Sequence, residues 1–272
     1  MEIFSYTLFV EGFLSALLVA VSTALIGVFL LIKRLAMLSA GLSHAALGGI
    51  ALALVLEVDP MVLTVIYTIL LGVLIQFLVE KYSLPADTVV ALFFSFGVAF
   101  AIIVLGITQN LGAGVFSYLF GSMLVASELD LVLSFVVFLV TLLFIFFNYR
   151  GLMLLSFNEE IGRIRSVKVS LLNYLLIAIA SANVVLSLKA VGLVLSTSFM
   201  SIPAMTSLMV SSSFFQSLLL SVGFSVFSLV FGIILSLTFD LPPSGAVVAC
   251  MVFVFLLALS GRFIRRKLSR AF

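Results

Sequence analysis

Residues 38–54, LSAGLSHAALGGIALAL, form an uninterrupted apolar run with a single histidine, His44, at its middle. Residues three, four and seven apart share one face of a helix. His44 therefore shares a stripe with Ala40, Gly41, Gly48 and Ala51. Such small residues let another backbone come close, and an imidazole among them is expected to face protein or a wet path instead of lipid. The stretch is read as a membrane-spanning helix whose His44 face borders a route through the bilayer.

The rest of the chain has the same character. Of its 272 residues 64% are hydrophobic and 9% charged, and the mean hydropathy is +1.45. Each crossing of the roughly 30 Å hydrocarbon core takes about 20 apolar residues. Spans are predicted at 8–32, 36–56, 61–80, 88–108, 131–149, 170–188, 191–212, 215–238 and 246–262, with 191–212 either a full span or a broken, re-entrant one. The expected fold is all-α, a polytopic bundle of eight or nine spans forming one transmembrane domain over residues 1–272, without a soluble domain. A membrane β-barrel is excluded because the apolar residues run continuously instead of alternating. The net charge of +2 argues against a nucleic-acid partner, and the one cysteine, Cys250, can form no internal disulfide. Glu2 and Glu11 precede or interrupt the first apolar run and its first cation is Lys33, so the N-terminal run is expected to be a retained span, not a cleaved signal.

Lys and Arg collect on the cytoplasmic side of membrane proteins. Placing Arg262, Arg265, Arg266, Lys267 and Arg270 inside brings the loops with Arg150, Arg163, Arg165 and Lys168, with Lys81, and with Lys33 and Arg34 inside as well; only Lys189 falls outside. The acidic residues Glu57, Asp59, Glu128, Asp130 and Asp240 gather outside. The N-terminus is thus expected outside and the C-terminus in the cytoplasm of a cell (plasma or inner) membrane. Between Gln109 and Asp130 a glycine-interrupted segment is expected to form a short interfacial or partly re-entrant helix.

Four features carry candidate chemistry. The cytoplasmic loop at about 150–168 is expected to break at Gly151 and then to form a short helix in which Asn158 caps, Glu159 and Glu160 suit the positive end, and Phe157 and Ile161 share a face. It is either an ordinary solvated helix or a docking element. The run 191–213 is rich in Ser, Thr, Gly and Met, and Pro203 removes a backbone donor within it. Met200 and Met205 are read first as packing residues. TFDLPPSGAVV, 238–248, makes an outer turn whose only charge is Asp240, either a cation-attracting group or a cap. His44 could simply bond a neighbouring carbonyl, or act as a metal ligand, imidazole being the commonest protein ligand for zinc-like ions. One histidine is not a site, which takes three or four ligands, although two copies of the chain could supply two imidazoles. No GxxxxGK[ST] nucleotide loop and no catalytic constellation occurs. Uphill transport would need energy from another polypeptide.

Together these stretches resemble the membrane permease subunits of ABC importers for zinc, manganese or iron, over essentially the whole chain. GVFLLIKRLAMLSAGLSHAALGGIALA resembles that family's second-helix signature, LLSFNEEIGRI its FDEE-like cytoplasmic segment, VGLVLSTSFMSIPAMTSLM its helix ending in IPA, and FDLPPSGAVV its final loop. The resemblance implies a permease dimer with two cytoplasmic ABC ATPases docked at Phe157, Asn158, Glu159, Glu160, Ile161 and Gly162. It also implies an extracytoplasmic metal-binding protein, no resident cofactor, and no enzymatic activity in this chain. It makes His44 the metal ligand and Ser43, Met200, Pro203 and Asp240 candidates for the pathway. The family's usual aspartate one turn before the histidine is here Ala40, and Asn158 replaces an aspartate. Without the carboxylate, zinc is expected ahead of manganese. The rival expectations are an ABC permease for a chelate or other small solute, with His44 only packing, and a non-ABC membrane channel or scaffold.

Overall fold

The computed structural model describes residues 2–108, 128–165 and 168–268. Among the described residues there are ten helices: α1 (Glu2–Ile32), α2 (Leu38–Val55), α3 (Pro60–Tyr82), α4 (Ala86–Thr108), α5 (Glu128–Phe157), α6 (Glu159–Ile164), α7 (Val169–Val191), α8 (Leu193–Val210), α9 (Phe214–Phe239) and α10 (Pro243–Leu268). Among the described residues nine of them are long and apolar enough to span a bilayer, all but α6. The expected segment between Gln109 and Asp130 lies outside the described residues, apart from the start of α5.

Short turns make the bundle. Asp59 accepts hydrogen bonds from the Met61 and Val62 amides at 2.9 and 3.0 Å, and Pro60 opens α3 where its missing N–H costs nothing. α1 ends with Arg34 in the left-handed region and Leu35 N–H donating to the Leu30 carbonyl at 2.8 Å, the closure that satisfies orphan carbonyls at a helix end. Asp240 ends α9 in the same way, with φ 50° and Leu241 N–H donating to the Ser236 carbonyl at 3.1 Å.

One expected boundary is not observed, and one open alternative is resolved. α5 runs through Gly151 to Phe157 instead of breaking there. A lone glycine costs a helix only about 1 kcal/mol relative to alanine, and the leucines that follow, Leu152 and Leu155, are buried in the bundle. The run 191–212, left open between a span and a broken helix, is a continuous helix from Leu193 to Val210 with Pro203 inside it. The break falls one residue earlier, at Gly192, whose φ of 90° and ψ of 168° let α7 reverse directly into α8. A side chain rarely adopts that backbone.

Apolar side chains cover the outside of the bundle as well as its core. α1, α2 and α7 form the centre, while α4 and α10 show most of their surface outward. The inside packs large apolar side chains such as Phe29, Phe199 and Ile26 among many small and hydroxyl residues, while others such as Ile102, Ile107, Phe146 and Phe253 point out. With lipid as solvent, apolar contact alone does not hold helices together, and close backbone approach and interhelical hydrogen bonds take over. Ser221 and Ser225 on α9 donate to the carbonyls of Ala24 and Ala20 on α1, both at 2.9 Å. Ser15 on α1 meets Ser134 on α5 at 2.7 Å.

Candidate functional site

α2 is where the small-residue stripe predicted close approach, and the neighbour is α4 of the same chain. A β-carbon on Gly97 would lie 2.3 Å from Ala45 Cα, and one on Gly41 would lie 2.2 Å from Val90 Cγ1. Gly48 faces both α4, at the Gly97 carbonyl, and the Tyr67 hydroxyl of α3. His44 sits at the edge of this seam, half-buried, its ring 4.2 Å from the ring of Phe94 on α4. Its Nδ1 lies 2.9 Å from the Ala40 carbonyl oxygen. A carbonyl only accepts, so Nδ1 carries the hydrogen, and in the neutral ring Nε2 holds the lone pair. A metal-ligating histidine is fixed in just this way, by the hydrogen bond its other nitrogen makes.

Ser43, the next residue, points elsewhere. It is fully buried and meets Ser196 of α8 at 3.3 Å, and Ser196 in turn bonds Ser187 of α7. This hydroxyl chain ties α2 to the α7–α8 reversal. Met200 and Pro203 are also buried, Met200 with its carbonyl against α1 so closely that a β-carbon on Gly27 would lie 1.9 Å from it. Asp240 is exposed at the α9–α10 turn. The structure does not gather Ser43, Met200, Pro203 and Asp240 around His44. Among the described residues no group of three or more His, Cys, Asp or Glu is placed to hold a metal.

Sequence reading passed over Tyr67. Its hydroxyl lies beside Gly48, one turn beyond His44, and has no hydrogen-bond partner among the described residues; the buried hydroxyls of Thr64 and Thr68 on the same helix likewise have none there. Polar groups are spaced three and four apart along 64–68, so the signal was present in the sequence. What they face becomes visible only once α3 is packed on α2.

The second locus is the end of the bundle that carries α6. Asn158 Oδ1 accepts from the Glu160 amide at 2.9 Å and from the Ile161 amide at 3.3 Å, the cap expected of it. Glu159 turns back into the bundle. Its Oε1 accepts from Lys33 Nζ at 2.5 Å and from Asn173 Nδ2 at 3.1 Å, and Lys33 also donates to Asn173 Oδ1 at 2.8 Å. This three-way link ties α6 to the end of α1 and the first turn of α7. Gly162 faces inward as well, where a β-carbon would meet Val169 at 3.2 Å. Phe157, Glu160, Ile161 and Ile164 face out, with Phe157 65% and Ile164 83% exposed. Phe157, Ile161 and Ile164 thus leave apolar surface exposed beside the charged Glu160 at this end of the bundle. At the opposite end, Lys189 pairs with the buried carboxylate of Asp130 at 2.6 Å, linking α7 to α5.

Comparison with known proteins follows the same lines. Residues 5–262 match the ABC 3 transport family. The chain is 31% identical over 261 residues to a probable metal transport system membrane protein of Treponema pallidum, covering 94% of this chain and 96% of that one. It is 25% identical over 249 residues to the high-affinity zinc uptake system membrane protein ZnuB of Haemophilus influenzae, covering 92% and 95%. The fold matches PsaBC from Streptococcus pneumoniae, solved in complex with Fab, with a TM-score of 0.80 at 23% identity over 91% of this chain and 89% of that one.

Proposed function

The chain belongs to the ABC 3 transport family, and on that premise we propose that it is the membrane permease of an ATP-driven importer that carries a divalent metal ion across a bacterial inner membrane by alternating access. Zinc is the first cargo, with manganese or iron next. The observation that carries the reading is the His44 geometry: an intramembrane imidazole whose Nδ1 is held by the Ala40 carbonyl and whose Nε2 is the available donor. Intramembrane ionisable groups mark ion paths by default. One imidazole binds weakly, so the working unit is a homodimer in which two His44 rings face a shared passage, with water completing the ligand set.

In this reading a cytoplasmic ATPase docks on Phe157, Glu160, Ile161 and Ile164, and Glu159 holds α6 to α1 and α7 instead of touching the ATPase. Closure of the two ATPases would shift α6, and the Lys33–Glu159–Asn173 link would pass that movement to α1, whose following turn leads into α2 and His44. An extracytoplasmic metal-binding protein delivers the ion at the opposite end. One observation favours a second cargo: with Ala40 in place of a carboxylate and no three-ligand cluster among the described residues, a chelate bringing its own ligands would also suit this passage.

Reconstituting the chain with its ATPase and binding protein in vesicles and following labelled zinc tests the reading. ATP-dependent accumulation of the free ion is expected. Accumulation without ATP, or failure to bind any ATPase, overturns the importer, and uptake confined to chelated metal selects the second cargo.

A further inference from the structure

A cavity of about 510 Å³ opens on the α6 end of the bundle, between α5 and the start of α7. It is lined by Phe146, Phe147, Asn148, Tyr149, Arg150 and Lys168, with Leu171 and Leu172 behind. Two of these are cations and none is an acid. Arg150 and Lys168 are exposed, and among the described residues neither takes part in an ion pair. Of the two carboxylates nearest along the chain, Glu159 is held by Lys33 and Asn173, and Glu160 is exposed on α6 and does not line the cavity. Phe146 and Phe147 are 77% and 75% exposed and lie on the bilayer side of the two cations.

The depth of the cavity follows from the two helices that line it. On α5, Arg150 is twenty residues from Asp130; Lys168, the residue before α7, is twenty-one from Lys189. At ~1.5 Å per residue each interval is about 30 Å, the thickness of the hydrocarbon core. The Asp130–Lys189 ion pair puts the far ends of both helices at one level. Arg150 and Lys168 therefore lie together at the opposite headgroup level, on the side that the charge pattern assigns to the cytoplasm. Basic pockets between spans at that level suit anionic headgroups, and the two exposed phenylalanines continue the site into the acyl region.

We propose that this cavity is a binding site for the phosphate headgroup of an anionic phospholipid, held by Arg150 and Lys168 with its chains lying over Phe146 and Phe147. The site rests on the chain's spanning a bilayer and is independent of which ion is carried. It stands at the base of the α6–α7 connection, so a bound lipid would brace the segment from which α6 projects.

The test uses the full chain purified in a neutral detergent and titrated with phosphatidylglycerol or phosphatidylcholine, with lipid retention read by native mass spectrometry. Wild type is expected to retain phosphatidylglycerol preferentially. The double variant Arg150→Gln/Lys168→Gln is expected to bind it about 30-fold more weakly, about 1 kcal/mol for each basic side chain near an anionic surface. Arg150→Lys/Lys168→Arg keeps both charges and is expected to retain most of the preference, as is Arg34→Gln, which removes a cation elsewhere on the same end. An unchanged preference in the double variant, or an equal loss in Arg34→Gln, overturns the site. Displacement of the bound lipid by millimolar inorganic phosphate would show a simple anion site and overturn the lipid assignment. If the glutamine double variant fails to fold, the single variants Arg150→Gln and Lys168→Gln decide by the same readout, each expected to weaken binding about 5-fold.

Discussion

The ammonium of Lys33, just past the end of α1, lies 2.5 Å from the carboxylate of Glu159, the first residue of α6. Lys33 is nearly buried there, and Asn173 of α7 bonds both partners. Removing Lys33 would take from Glu159 its charged partner at the end of α1. Charge-assisted hydrogen bonds contribute about 1.5–3 kcal/mol, so Lys33→Met is expected to lower the apparent Tm of the purified chain. In the reconstituted complex it should lower transport more than it lowers ATP hydrolysis, because the docking helix would move without pulling α1. Equal losses of both, or none, would mean that the link is passive.

Asn158 holds the amides of Glu160 and Ile161. A six-residue helix has little stability of its own, and loss of a cap costs about 1 kcal/mol. Asn158→Ala is expected to weaken ATPase association roughly 5-fold, and Asn158→Asp to preserve it. Pull-down titration against the ATPase checks both. Equal affinity of all three proteins would remove the cap from the docking account.

The α2–α4 seam depends on Gly97. Its substitution by alanine would drive a β-carbon to 2.3 Å from the Ala45 backbone, and overpacking of that kind costs about 1–3 kcal/mol. Gly106 lies on the same helix with nothing near its side-chain position. Thermal unfolding is expected to show Gly97→Ala clearly destabilised and Gly106→Ala unchanged or slightly stabilised. Similar shifts for the two would mean that helix propensity, not packing, governs α4.

Ala40 stands one turn before His44, and its carbonyl already orients the ring. Ala40→Asp would add a hard anionic oxygen on the same face, which manganese favours more than zinc does. Metal competition measured on the assembled complex is expected to shift toward manganese by about 10-fold or more. No change in either affinity would mean that this face of α2 does not meet the ion.

Much of this was legible in the chain because lipid makes simple demands. Spans follow from apolar run length, and the grouping of Lys33 with Glu159 at one end and of Asp130 with Lys189 at the other follows from the alternation of spans. The cap at Asn158 follows from local chemistry. The helix end at Gly151 was misread because a glycine stops a helix only when no packing rewards its continuing; Leu152 and Leu155 supply that packing. The small stripe on α2 correctly predicted a close backbone neighbour, but which helix would come close is a long-range fact, and α4 fills that place. The Tyr67 hydroxyl beside Gly48, the anchoring of Glu159 by Lys33 and Asn173, and the depth shared by Arg150 and Lys168 all depend on residues far apart in sequence. No local pattern could have joined them.

The most direct measurement is zinc uptake by vesicles carrying the complete complex with His44→Ala, after confirming that the ATPase remains bound and active. Loss of metal flux with ATP hydrolysis largely retained is the expected result. Flux equal to that of the unsubstituted complex would contradict a metal path past this histidine.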